Sequence, residues 1–232
     1  MLANKLRRAA AAPLSIGSIS YITFVDGSFS SGTVTFNSVS IGAASSDRVI
    51  ALYIGGGFSG ADQYVSSVTI GGISASEAVR TNGGSNFRHN SIWYATVPTG
   101  TTATIVVNAS YSSTNNLLVF VSRIVDLNST TPVATASDYT DAQSVGPERS
   151  VNLDAVYNNS VVFAGYGVGG SAATNTDWSG SMNLTEEDFQ NVGNSSYTIA
   201  QKANRDSGSK SVVASVNDAS VNRPGLVVAT WH

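Results

Sequence analysis

The chain has 232 residues, a net charge of −3 and only 12% charged residues, against about a quarter in an ordinary soluble domain. No basic surplus exists to follow a nucleic-acid backbone, and without cysteine there is no disulfide frame, thiolate metal site or thiol nucleophile. No run approaches the roughly 18 apolar residues of a membrane span, so the sequence predicts neither a nucleic-acid nor a membrane partner.

In chain order, "MLANKLRRAAAAP" comes first. Leu2 and Leu6 would share a helical face, Lys5, Arg7 and Arg8 add charge, and Pro13 stops the run. Its apolar part is too short for a secretory signal. A helix of about a dozen residues does not hold alone, so residues 1–16 are expected to form an anchoring arm docked on another subunit. From there the apolar residues fall in short β-branched runs between Gly/Ser/Asn/Asp clusters, the pattern of strands and turns. Strands are expected at 19–25, 33–41, 48–55, 66–72, 91–97, 102–109 and 116–125. Further ones are expected at 150–156, 160–167, 195–202, 210–216 and 225–231. The predicted class is all-β, with antiparallel sandwich or jelly-roll-like units.

The runs repeat. "TVTFNSVSIGAASSDRVIALYIGGG" is echoed by "RSVNLDAVYNNSVVFAGYGVGG", "SIWYATV" by "SSYTIAQ", "TATIVVNA" by "KSVVASVN" and "NLLVFVSRI" by "GLVVATWH". Element order is kept while the offset drifts, as expected of a duplicated unit with variable loops. The expected organisation is a first unit at 17–127, a linker at 128–144 and a second unit at 145–232.

One stretch imitates a cofactor site. "VVFAGYGVGG" ends in Gly165-x-Gly167-x-x-Gly170, the spacing of a dinucleotide fingerprint, which requires a helix to begin at once and hold the pyrophosphate. The following "SAATNTDWSGSMNL" has no helical stripe, and "GGGFSG" (55–60) repeats the spacing in the first half. The glycines are therefore expected to form loops needing positive φ, and no cofactor is expected.

Catalytic constellations are sparse. The two histidines are His232, the last residue given, and His89, expected at a loop tip; neither belongs to a metal-ligand spacing, and no nucleophile elbow exists. Carboxylates are densest in "NLTEEDF" (Glu186, Glu187, Asp188), matched by Glu77 in the first half. Adjacent Glu186 and Glu187 would point to opposite faces of a strand, not form a facing glycosidase pair. Asp138 and Asp141, with Asp126 and Glu148, have oxygen ligands for calcium but no loop of established spacing. The expectation is no enzyme, no metal and no catalytic residue. Phe24, Phe36, Tyr53, Trp93, Phe120, Phe163 and Trp231 fall inside strand runs and are expected in the core. Phe58, Tyr64, Phe87, Tyr111 and Trp178 fall in expected loops, where they would anchor loops, meet a neighbouring subunit or stack on sugar rings.

"VTFNSVSIGAASSDRVIALYI", "VSSVTIGGISASEAV", "SIWYATVPTGTTATIVV" and "STTPVATAS" resemble the β-sandwich virion proteins of tailed bacteriophages, and "MLANKLRRAAAA" is similar to leaders seen on such proteins. The resemblance runs from Met1 to about residue 140 and, through the repeat, toward the end. It implies a structural protein on the virion exterior (a capsid decoration, head fibre, or compact tail component), assembled in the host cytoplasm. Its partners would be other virion proteins and copies of itself. The chain lacks the heptads or Gly-x-y repeats of a fibre shaft, and no catalytic residue carries over. The alternative is a carbohydrate-binding or adhesin module using the loop aromatics on a host-surface glycan; a third reading is a polysaccharide-degrading enzyme, which needs a close carboxylate pair in a cleft.

Overall fold

The computed structural model describes residues 17–28, 32–57, 64–81, 88–110, 116–140, 148–170, 175–192, 194–204, 206–217 and 221–232. Leu2, Lys5, Leu6, Arg7 and Arg8 of the expected arm lie outside these, as do Phe58, Phe87, Tyr111 and Asp141. The described residues form strands and no helix. The first half contains β1 (Ser18–Ser28), β2 (Thr33–Ser40), β3 (Val49–Gly57), β4 (Val65–Ile70), β5 (Ile73–Ser74), β6 (Ser76–Arg80), β7 (Arg88–Thr96), β8 (Thr102–Ala109) and β9 (Asn116–Val125). The second contains β10 (Ala134–Tyr139), β11 (Arg149–Val156), β12 (Ser160–Gly169), β13 (Thr176–Ser179), β14 (Thr185–Val192), β15 (Ser195–Asn204), β16 (Gly208–Val216) and β17 (Asn222–Trp231).

Four antiparallel sheets result. The first half pairs β1-β9-β3-β7-β6 against β2-β8-β4-β5, and the second pairs β10-β17-β12-β15-β14 against β11-β16-β13. With β5 and β6 counted as one strand bent at Ala75, the first half has the strand order of a jelly roll. The second half follows the same order, β10 standing where β1 stands and β17 where β9 stands. Two β-bulges also fall at matched places. The register breaks between Glu77 and Val79 against β7, and between Glu186 and Asp188 against β15. It breaks again between Phe36 and Val39 against β8, and between Leu153 and Val156 against β16. The segment expected as a linker contributes β10, an edge strand of the second five-stranded sheet.

The two five-stranded sheets pack against each other, so the molecule is a single stack of four layers with three cores. Phe36, Leu52, Trp93 and Ile105 fill the first sandwich; Val162, Tyr166, Trp178 and Val212 fill the second. Between them, Val49, Tyr53, Leu118 and Phe120 of the first half meet Val161, Phe163, Val227 and Trp231 of the second. This explains the sequence pattern. β8 has one covered face and alternates apolar with polar residues, whereas β3 and β12 are buried along their whole length. A strand covered on both faces reads as a continuous apolar run.

The stack has two distinct ends. Ser18 pairs with Val125 and Val161 with Trp231 at one end, where Gly17 lies against Leu127 and Val161. At this terminal end Arg48, fully buried, donates through Nε to Val97 O (2.6 Å), through Nη1 to Gly42 O (2.8 Å) and through Nη2 to Thr99 O (2.7 Å). At the other end Ser28 pairs with Asn116, Gly57 with Arg88 and Val65 with Ala109. The second half runs the same way, because Gly165 and Gly167 near the close of β12 face Tyr53 and Asn90.

Candidate functional site

The glycine fingerprint belongs to the seam between the two halves. Gly165 and Gly167 sit inside β12 and Gly55 inside β3, and none has a positive φ. This corrects the expectation of loop glycines; Gly170 alone of the triplet has a left-handed φ, at 98°. Their role is close approach. A Cβ at 165 would lie 2.5 Å from Tyr53 Cγ and nearer still to other atoms of that ring. A Cβ at 55 would lie 2.8 Å from Tyr197 Cε1, and one at 167 would lie 2.8 Å from Tyr197 Cδ1 and press on Asn90. Gly55 and Gly165 thus admit rings from the opposing sheet, while Gly167 leaves room for Asn90 of the first half and for Tyr197, its own cross-strand neighbour. β7 comes within 8 Å of β12 and β17 between Cα atoms, closer than the roughly 10 Å of ordinary stacked sheets. After Gly170 the next described element is strand β13, not a phosphate-binding helix.

The seam carries buried polar groups that are consumed internally. Tyr53 donates its hydroxyl to Asn90 Oδ1, Thr81 N donates to Asn90 O (2.9 Å), and Ser122 donates across the halves to Gln201 Oε1 (3.0 Å). Burial raises the Tyr53 pKa well above its ordinary value, so the phenol stays protonated as a donor. Tyr94 and Trp231 meet edge to face across the seam, with centroids 5.9 Å apart. Sequence reading placed Tyr53, Phe120, Phe163 and Trp231 in a core, and they are fully buried. It missed Thr81, Asn90, Tyr197 and Gly225, whose shared environment is formed by residues more than a hundred positions apart.

His89 is not at a loop tip. It lies on β7, fully buried, with Nε2 2.7 Å from Ser91 Oγ. Ser91 Oγ also accepts from Trp93 Nε1 at 3.0 Å, the indole being able only to donate. A serine–histidine contact of this length has nucleophile–base geometry, but His89, Ser91 and Trp93 are 0%, 0% and 5% exposed. They are sealed inside the first sandwich and act there as packing. Desolvation holds the His89 pKa down at about 3, keeping the ring neutral.

The carboxylates of β14 spread over both faces of their strand. Glu186 accepts from Thr198 Oγ1 at 3.0 Å, while Glu187 is hydrogen-bonded to Gln201, and burial raises the Glu187 pKa. Asp188 reaches across the halves to accept from the Tyr21 hydroxyl, and it also accepts from Gln190 Nε2 and Phe189 N, both at 2.8 Å. Burial, then this contact with Asp188, pushes the Tyr21 pKa far up. Asp188 is thus a tie between edge strands β1 and β14. Asp138 pairs with Arg149 (3.9 Å) and accepts from Ser150 N, while Asp126 stands at the opposite, terminal end. Among the described residues no three His, Asp or Glu side chains gather as a metal group.

Of the five aromatics expected in loops, two are described. Trp178 is on strand β13, only 7% exposed, packed edge to face on Tyr166 in the second core. It cannot meet a sugar, and the expectation for it is corrected. Tyr64 is 36% exposed at the loop end, with the Arg80 guanidinium 4.6 Å above its ring and Glu77 3.4 Å from Arg80. The described residues flanking the segments that hold Phe58, Phe87 and Tyr111 (Gly57 and Tyr64, Thr81 and Arg88, Ser110 and Asn116) all stand at this same end. Compared with protein families, curated proteins and solved structures, the chain matches none.

Proposed function

We propose that this protein is a non-enzymatic structural component of a tailed-phage virion exterior, a capsid decoration, head fibre or compact tail protein, whose two jelly-roll units descend from one copied module. The observation that carries the reading is the opposition of the two ends. The chain enters at Gly17, against Leu127 and Val161, while the strand ends flanking the aromatic-bearing segments face the other way. Residues 1–16 would fix the stack to its lattice, and the loop end would point outward. The matched bulges and strand orders support the copied module, since bulges persist as designed features of a fold. Jelly rolls serve in capsid and lectin domains, a fit of architecture only, since fold alone does not assign function. The fingerprint glycines, the serine–histidine pair and the acidic strand all have structural duties, which favours a scaffold over a reaction centre.

The test is reconstitution on particles lacking the protein. Full-length chain should bind, and chain lacking residues 1–16 should not, while its thermal unfolding is unchanged. Equal binding by both, or none by either, overturns the proposal. The exposed Tyr64–Arg80 pair favours a second reading, glycan contact at the loop end. Loss of glycan-array binding on Tyr64→Ala or Phe87→Ala would support it, and an array without signal would remove it.

A further inference from the structure

The outer sheet of the first half contains no ionisable side chain. The strands TVTFNSVS, VSSVTI, IS and TATIVVNA hold no Asp, Glu, Lys, Arg or His. Its topological counterpart in the second half carries Arg149, Asp154, Asp177 and Lys210, with Asp154 and Asp177 exposed. An exposed sheet face free of charge is costly for solubility and cheap to dehydrate. It is cheap here for a second reason, because one row of its polar groups is already paired across strands. Thr33 Oγ1 donates to Asn108 Oδ1 (2.8 Å) and Asn108 Nδ2 donates to Ser67 Oγ (2.9 Å), one row across β2, β8 and β4. The next row is Thr35, Val106 and Thr69. Covering such groups strands few donors or acceptors, the main penalty in burying a polar surface.

We propose that this face is an isologous interface with a second copy of the chain. The described outward residues include no aromatic platform for a sugar, and no charge to meet a charged partner; a neutral, flat, hydroxyl-rich sheet is best matched by its own kind. Strands of eight (β2, β8), six (β4) and two (β5) residues, at about 3.3 Å per residue and about 4.8 Å apart, give roughly 380 Å² in projection. Even with side-chain relief this lies below the roughly 800 Å² per partner of a standard stable complex, so the dimer is a weak, concentration-dependent one. Face-to-face docking is required because the edges are blunted: β2 is broken by its bulge with Ser38 at φ 55°, and β5 has two residues. The chain already joins its own halves by stacking sheets. This inference supplies a surface for the self-association in the proposed role, and it is tested in solution without any particle, so its failure leaves anchoring through residues 1–16 standing.

Sedimentation velocity of the full-length chain over about 1–100 µM should show a dimer that persists in high salt, since no ion pair holds it. Thr35→Lys and Val106→Lys, each checked for an unchanged circular-dichroism spectrum and melting temperature, should weaken it at least about 100-fold by burying an unpaired charge. Asn152→Lys on the opposite outer sheet should leave it intact. A monomer at every concentration, a dimer that dissociates in salt, or a dimer indifferent to both lysines overturns the inference. If one lysine variant fails to fold, the other decides.

Discussion

Replacing Gly165 with alanine adds a single methyl group to a strand interior, where alanine ordinarily gains slightly over glycine. Here the new Cβ would sit 2.5 Å from Tyr53 Cγ, about 1 Å inside a normal carbon contact. The ring has nowhere to go. It is 0% exposed, lies 5.7 Å from the Phe120 ring and is held by Asn90 through its hydroxyl. Overpacking costs about 2 kcal/mol and loss of the buried hydrogen bond about 2 more, so Gly165→Ala should destabilise by about 4 kcal/mol. For a chain of this size that lowers the melting temperature by about 8–16 °C. The assay is urea unfolding of a double-mutant cycle with Tyr53→Ala. Without the ring, Gly165→Ala should cost under about 1 kcal/mol, leaving a coupling of about 3 kcal/mol. A small cost in the wild-type background, or the same cost in both, would refute the assignment of this glycine to interlayer contact.

Arg48→Met removes the guanidinium that three carbonyls share; Val97 O is left buried without its donor while Gly42 and Thr99 lie nearer the surface. The cost should be about 2 kcal/mol, and unchanged urea stability would count against a structural role for Arg48. Trp178→Ala should cost about 3–5 kcal/mol through the cavity it leaves, so stability measured on this variant should fall whether or not any glycan binds. His89 gives a pH signature. Its pKa is about 3 in the folded chain against 6.5 when free, so the unfolded chain takes the proton first. Stability is full above about pH 6.5 and falls by up to about 1.4 kcal/mol per pH unit toward pH 3. The Asp47 carboxyl, held low first by Ser45, acts in the same direction, so the comparison of wild type with His89→Gln isolates the histidine; equal pH slopes for the two would be fatal to this account.

The sequence by itself determined the all-β class and the positions of the strands that alternate or run apolar, from β1 through β4, β7 to β9, β11, β12 and β15 to β17. It did so because β-branched runs between Gly/Ser/Asn clusters report local backbone preference and one-sided burial. It passed over β6, β10 and β14, which are edge strands of the five-stranded sheets. Their half-exposed residues tolerate Ser, Glu and Asp, and only the hydrogen bonds of a neighbour make them strands. The short β5 and β13 were likewise silent, and Trp178 was assigned to a loop with the strand that carries it. The repeated order of runs was legible, while the fact that the two units stack into four layers was not. A periodic pattern shows that a face is covered, never what covers it. For the same reason Gly55, Gly165 and Gly167 read as turn formers: nothing adjacent to them reveals that Tyr197, Tyr53 and Asn90 will arrive from elsewhere in the chain. Tertiary packing alone decided that these glycines are clearances for rings, that His89 is buried, and that one outer sheet faces outward without a charge.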